Sequence, residues 1–353
     1  MMPPPDPMDV ERRLRGALTL TPAPEGLWEG IGAELARPAS EHRRPWTRRR
    51  VNPWLAAATV ILAVALGMLG GTYRAYRAPT SWSVQAVAGA PRVDGARLAG
   101  TSTLTASEWL VTDANSRAVL TVGRIGTAEV GPNSQVRIDK GGVLQHRLTL
   151  ERGLLHAVIE APPRLFFVRT PSALATDLGC AYTMEVDSVG NTRIHVTAGW
   201  VELEEDGVRS LIPAGLVAEV ASGSPPGIPY PENFPADARA ALRRLEMAGG
   251  DGTDLATVSE ALSTPSDAVT RRKQSGIVLW HLVQRVRPAL RARVFDQLAA
   301  LSPPPDGVTR EEILALQRPI LERWRRDLNP MWSEEAMPWW GRLGRGLWEW
   351  AVE

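Results

Sequence analysis

The residues of this chain that could carry covalent or metal chemistry are few. Cys180, the only cysteine, sits in TPSALATDLGCAY with Tyr182 two residues on. A thiol becomes a nucleophile only where a base or a positive field lowers its pKa. Counting back by twos from Val186 through Met184 and Tyr182 reaches Cys180, so on a strand the thiol shares their apolar, inward face. His195, the nearest imidazole in sequence, falls with Arg193 on the opposite, polar face. Groups on opposite faces of one sheet share no proton, and the expectation is a buried, inert cysteine. The five histidines, His42, His146, His156, His195 and His281, are scattered without metal-ligand spacing. One cysteine also excludes an intramolecular disulfide and any cysteine-rich zinc cage.

Glu202, Glu204, Glu205 and Asp206 form an acidic run at a strand end. Alternation points Glu202 and Glu204 the same way, with no second acid opposite them, and the run lacks the Asp-x-Asp-Gly pattern of a calcium loop. Such carboxylates are expected in water. No catalytic residue, cofactor or metal site is assigned, and the expectation is a protein that is not an enzyme.

Forty basic and thirty-nine acidic residues leave a net charge of +1, which argues against a nucleic-acid-binding surface. The informative charge is local. Arg43, Arg44, Arg48, Arg49 and Arg50 crowd before WLAAATVILAVALGMLGG, Trp54 to Gly71, a run without a charged residue. At about 1.5 Å per residue the run is long enough to cross hydrocarbon. Some fifty residues precede it, so it reads as an uncleaved anchor and not as a secretory signal. The arginines place residues 1–50 in the cytoplasm, and Trp54 and Tyr73 suit the two interfaces. Lipid headgroups are a further partner of the arginine cluster.

The segment before the anchor opens on a Pro-rich tip and offers two short amphipathic stretches, Val10, Leu14 and Leu18, then Leu27, Trp28, Ile31 and Leu35, broken at Thr21-Pro22-Ala23-Pro24. Two helices of about ten residues bury no core of their own. They dock on a protein, lie on the membrane or stay partly unfolded. Leu14, Leu18, Leu27, Trp28, Ile31 and Leu35 make a groove-filling face for a partner.

Beyond the anchor the pattern changes. Over 80–222, short runs rich in Val, Leu, Thr and Ala are cut by glycine at intervals of about 8–15 residues, the pattern of an all-β domain built from hairpins. Over 235–353 the periodicity is helical. DARAALRRLEM stops at Gly249-Gly250; Leu279, Trp280, Val283 and Val286 recur before Pro288; Leu290, Val294, Leu298 and Leu301 follow; and Thr309 with Glu312 forms a capping box. The tail MPWWGRLGRGLWEWAVE gathers Trp339, Trp340, Leu343, Leu347, Trp348 and Trp350 largely on one side. It reads as a helix closing the bundle or as an interfacial helix on the outer leaflet.

The β segment resembles the FecR family, the extracytoplasmic domain of bacterial membrane-bound regulators that act on extracytoplasmic-function sigma factors. The resemblance is carried in order by Ser81-Trp82-Ser83-Val84, Leu98-Ala99-Gly100, Leu110-Val111-Thr112-Asp113, Val130-Gly131-Pro132-Asn133-Ser134 and Leu150-Glu151-Arg152-Gly153. It continues through Phe167-Val168-Arg169-Thr170-Pro171-Ser172-Ala173, Gly179-Cys180-Ala181-Tyr182 and Val196-Thr197-Ala198-Gly199-Trp200-Val201. It marks Trp82, Gly100, Gly153, Thr170, Pro171, Gly179, Cys180, Tyr182 and Gly199 as structural motif positions, and Cys180 stands where the family commonly has a threonine.

The resemblance implies a β-rich periplasmic sensory or protein-binding domain, a cytoplasmic sigma factor as partner, and no catalytic residues. Family members commonly have a longer cytoplasmic helical domain, and the helices beyond 235 are unexplained by it. The expected protein is mainly β plus α. It has a cytoplasmic tail (1–50), a single transmembrane helix (51–73), a FecR-like β-sandwich or roll (80–222) and an α-helical domain (235–353). It lies in the inner membrane with its C-terminal domains periplasmic, where a periplasmic or outer-membrane protein is a further partner. The expected role is regulation of a sigma factor; the alternative is a membrane-anchored periplasmic binding or scaffold module.

Overall fold

A computed structural model describes residues 81–142, 145–247, 249–264 and 267–333, together with Gly26 and short helical pieces at 62–64 and 66–68. The chain divides into two units, Met1–Leu66 and Gly67–Glu353. In the first, Leu62, Val64 and Leu66 are exposed. The residues assigned above to a cytoplasmic partner (Leu14, Leu18, Leu27, Trp28, Ile31, Leu35), most of the apolar run and the tryptophan-rich tail lie outside the described residues. Among the described residues no helix is long and apolar enough to cross a membrane.

The second unit is mostly β-sheet with helices in its C-terminal part. Its strands begin with β1 (Ser81–Ala88), β2 (Arg92–Val93), β3 (Ala96–Arg97), β4 (Thr101–Thr105), β5 (Trp109–Val111) and β6 (Arg117–Val122). They continue with β7 (Gly126–Val130), β8 (Gln135–Lys140), β9 (His146–Ile159), β10 (Phe166–Arg169), β11 (Leu174–Asp177) and β12 (Ala181–Val186). The last are β13 (Thr192–Ala198), β14 (Trp200–Glu205), β15 (Val208–Pro213), β16 (Leu216–Val220) and β17 (Tyr230–Pro231). One sheet has the order β4-β1-β6-β7-β9-β12-β13-β16-β17. The other has the order β3-β2-β5-β8-β9-β10-β11-β14-β15. Among the described strands only β9 and β10 pair in parallel.

Strand β9 belongs to both sheets. Residues 146–152 pair with β8 and β10, and residues 153–159 pair with β7 and β12. Between Gln135 and Val136 of β8 the opposite register jumps from Arg152 to Leu150, so β9 carries one extra residue there. A strand alternates strictly by twos, and one extra residue reverses which side chains face inward. Before the bulge Leu148 and Leu150 are buried; after it Leu155, Ala157 and Ile159 are. The bulge thus lets one strand leave one sheet and enter the other while its apolar residues keep facing the same core. Gly153 makes the change of direction at φ +95°, and a Cβ on it would overlap Ser134.

The helices are α1 (Ala236–Glu246), α2 (Gly252–Ser263), α3 (Ala268–Arg285), α4 (Pro288–Leu301), α5 (Arg310–Leu314) and α6 (Arg318–Ser333). Their starts follow local chemistry. Asp251 and Thr309 each make a full capping box, with Asp254 and Glu312 as partners. Pro288 stands at the first turn of α4, where its missing N–H costs nothing. Every residue from Ser275 to Val283 of α3 is buried, as expected of a helix covered on all sides. Pro319 stands in the first turn of α6, where its missing N–H likewise costs nothing.

The helices close an edge of the second sheet. Outermost strand β15 would present unpaired carbonyls, but Arg285 of α3 donates to the Arg209 carbonyl at 3.0 Å. One turn earlier, His281 Nε2 reaches the Leu211 carbonyl at 3.4 Å. Covering an edge in this way removes a template for pairing with other chains. Burial, then the nearby Arg285 charge, pushes the His281 imidazole down to about 3, so it is the neutral tautomer with its proton on Nε2 that donates. An aromatic cluster adds the packing. Trp332 of α6 lies 6.5 Å from Trp200 of β14 and 6.3 Å from Trp280 of α3, and Trp280 meets Trp324 edge-on at 6.1 Å. Strands and helices therefore share one core.

Gly153→Ala combines a positive φ with a backbone overlap, and is expected to destabilise by about 2–4 kcal/mol. Gly207→Ala has a positive φ but open space around its Cβ, and is expected to cost about 1 kcal/mol. Urea unfolding of the full chain, read as a shift of midpoint at constant slope, checks both.

Candidate functional site

The outer face of the first sheet carries a row of alternating charge. Glu185 of β12 stands opposite Arg193 of β13, which stands opposite Glu219 of β16. Arg193 reaches Glu219 at 3.9 Å, Arg243 of α1 binds the same carboxylate, and the Tyr230 hydroxyl donates to it at 2.7 Å. Burial works against ionisation of Glu219, but the Tyr230 hydroxyl and the Arg243 charge outweigh it and hold the carboxyl below its ordinary value.

A cleft of about 950 Å³ opens over this row, between the sheet, the segment 224–227 and the C-terminal ends of α1 and α3. Its apolar lining comes from Val208, Pro225, Pro226 and Met247, the last 84 % exposed. Glu246, the final residue of α1, also lines it. Its Oε1 accepts the Ile228 N–H and lies 3.7 Å from Arg285. Burial pushes this carboxyl up to about 7, against the pull of the Ile228 N–H and of Arg285. Arg285 is held in turn by the Pro226 carbonyl at 2.5 Å and the Arg209 carbonyl. Sequence reading singled out none of Glu219, Arg243, Glu246 and Arg285, which come together only through the docking of the helices.

None of the family-motif residues lines this cleft, although Thr170 bonds to Thr192, which does. Trp82 is buried in β1 with its ring 5.9 Å from His146 and 6.3 Å from Phe166 of the other sheet. Gly100 turns into β4 at φ +71° while its carbonyl accepts the Ala86 N–H. The Thr170 hydroxyl donates to the Ala173 carbonyl at 3.1 Å and accepts from Thr192 at 2.7 Å, while Thr192 accepts from Ser172 at 2.7 Å. This buried chain of hydroxyls pins the loop containing Pro171 to the start of β13. A Cβ on Gly199 would collide with the Gly179 carbonyl, so the two glycines let the segments before β12 and β14 touch.

Cys180 is 4 % exposed, on the same face as buried Tyr182, Met184 and Val186, where alternation puts it. Its thiol donates to Asp177 Oδ2 at 2.7 Å, and the Gly179 N–H donates to Oδ1 at 2.6 Å. Burial, then the negative charge of Asp177, pushes the thiol well above its ordinary pKa, and burial pushes Tyr182 up likewise. His195 belongs to the neighbouring strand β13, opposite Thr183 and so on the other face of the sheet, half-buried and 3.5 Å from Glu232. Burial raises Asp177 to about 7, although the Cys180 and Gly179 hydrogen bonds pull it down.

The acidic run differs from the solvated strand end expected of it. Glu204 pairs with Arg209 at 3.5 Å, but Glu202 is buried at 8 % exposure, and burial raises its carboxyl in spite of the Arg209, Arg164 and Arg325 charges. Arg325 belongs to α6, so a charge from the helical region reaches this strand. Among the described residues no group of three His, Cys, Asp or Glu is placed to hold a metal ion.

No family model and no curated protein matches the chain. Two crystal structures of a "putative anti-sigma factor" from Parabacteroides distasonis, at 1.65 Å and 2.50 Å resolution, are similar at 14 % identity with a TM-score of 0.31. The match covers 38 % of this chain and 64 % of each of theirs, less than two thirds of their length. A likeness of that size carries no argument about fold or function.

Asp177 keeps its proton to about pH 7 when folded but, with an ordinary value of 3.8, loses it near pH 4 when unfolded. Its contribution to stability is therefore full below pH 4 and falls as pH rises to about 7, by a few kcal/mol at about 1.4 kcal/mol per pH unit. Asp177→Asn is expected to flatten that fall when urea midpoints of the full chain are compared between pH 4 and pH 8.

Proposed function

We propose that this chain is a single-pass transmembrane regulator of the FecR type. It holds a sigma factor through residues 9–36 on the cytoplasmic side, presents the β-rich unit and its helices outside, and has no catalytic step of its own. The observation that carries the reading is the order of features along the chain. Five arginines are followed by an uncharged run from Trp54 to Gly71, and β1 begins only ten residues later.

Two further points support it. The motif residues that carry the family resemblance occupy positions the β-fold requires: the bulge at Gly153, the hydroxyl chain at Thr170, and the contact between Gly179 and Gly199. Amphipathic Leu14, Leu18, Leu27, Trp28, Ile31 and Leu35 offer the short helical face that a groove on a partner would take.

Membranes from cells making the full chain are expected to retain it through alkaline carbonate washing, and protease added to spheroplasts is expected to remove residues beyond about 74. A tagged 1–50 segment is expected to copurify with a sigma factor, and deletion of 27–35 to abolish that capture and change transcription of the sigma factor's targets. Release of the intact chain by alkali overturns the membrane reading. Unchanged transcription in the deletion leaves an anchored binding module without a sigma-factor partner.

A further inference from the structure

We propose that the cleft between the first sheet and the C-terminal ends of α1 and α3 is a binding site for an organic cation, an amine or guanidinium on an aliphatic stem. The proposal concerns the cleft alone and holds whichever partner the N-terminal segment engages.

All three arginines of the cleft already face a carboxylate or a carbonyl. Arg193 and Arg243 both turn to Glu219, and Arg285 is held by the Pro226 and Arg209 carbonyls and lies beside Glu246. Four carboxylates of the lining, Glu185, Asp187, Glu219 and Glu246, face three guanidiniums, so the excess charge is negative.

The acidic side is not spent. Glu185 stands across from Arg193, but Arg193 leans the other way, and among the described residues Glu185 has no ion pair or hydrogen bond. Both contacts of Glu246 fall on Oε1, and among the described residues Oε2 has no hydrogen-bond partner. Asp187 adds a third negative charge at the rim, its oxygens turned to its own loop at Val189 and Asn191. Helices α1 and α3 both end here, and the carbonyl end of a helix carries partial negative charge.

The apolar part of the lining sets the rest of the ligand. Val208, Pro225, Pro226 and exposed Met247 give a surface that an alkyl chain would cover, and the volume is within the range of ligand sites. A lysine or arginine side chain of a protein and a free alkyl diamine share this chemistry.

Isothermal titration of the full chain at pH 8, where Glu246 is ionised, tests the proposal with two probes, cadaverine and the blocked peptide acetyl-Ala-Lys-Ala-amide. Acetyl-Ala-Glu-Ala-amide is the control. Binding of cadaverine alone identifies a free amine as the ligand, and binding of the lysine peptide a protein side chain; either supports the site. Glu185→Gln and Glu246→Gln are each expected to weaken binding about tenfold, the loss of one charge-assisted contact. Glu160→Gln, outside the cleft, is expected to leave it unchanged. Glu185 is exposed, so its variant remains informative if Glu246→Gln folds poorly. Heats no larger than those of the acidic peptide for both probes, or affinities unaltered by Glu185→Gln and by folded Glu246→Gln, overturn it.

Discussion

A β-strand commits its side chains alternately to two faces, and a strand shared by two sheets cannot keep an apolar face inward along its whole length unless that alternation is interrupted once. Strand β9 meets this constraint with one extra residue beside Gly153. The strands before it close onto β9 through β7 and β8, and those after it through β10 and β12. Without the interruption, either Leu148 and Leu150 or Leu155 and Ala157 would face water. At about 25 cal/mol per Å² of apolar surface, exposing such a pair costs several kcal/mol, comparable with the whole net stability of many domains.

The helical region answers a second requirement of the same architecture. Open sheets have edges, and β15 is closed by Arg285 and His281 of α3 instead of by another strand. The same helix brings Trp280 to Trp324 and Trp332, and through Trp332 to Trp200 of β14. Arg285 therefore serves twice, because the guanidinium that covers the edge also stands beside Glu246 in the cleft. Edge closure and cleft are products of one docking event.

What could be read from the sequence was what local spacing determines. The inward phase of Cys180, Tyr182, Met184 and Val186 follows from counting by twos, and the capping box of Thr309 and Glu312 from their separation. What could not be read depends on elements distant in the chain. HRLTLERGLLHAVI looks like two strands parted by a glycine, because nothing local says that both halves belong to one strand. Glu202 looks solvated in its acidic run but is buried in the fold, and the Asp177 carboxyl is held by Gly179 and Cys180 out of water. The cleft is invisible for the same reason: Arg193 falls on a polar face by local alternation, but the other walls arrive from the helices.

Strand β1 lies between β4 and β6, bonded along both margins, with Trp82 anchored against the opposite sheet. Inter-strand hydrogen bonds run across the strand axis, so tension applied at residue 80 along that axis would load two ladders in shear and break many bonds at once instead of peeling them singly. The first strand is therefore a mechanically stiff handle: a tug from its N-terminal side would move the unit as a whole before it unravelled it.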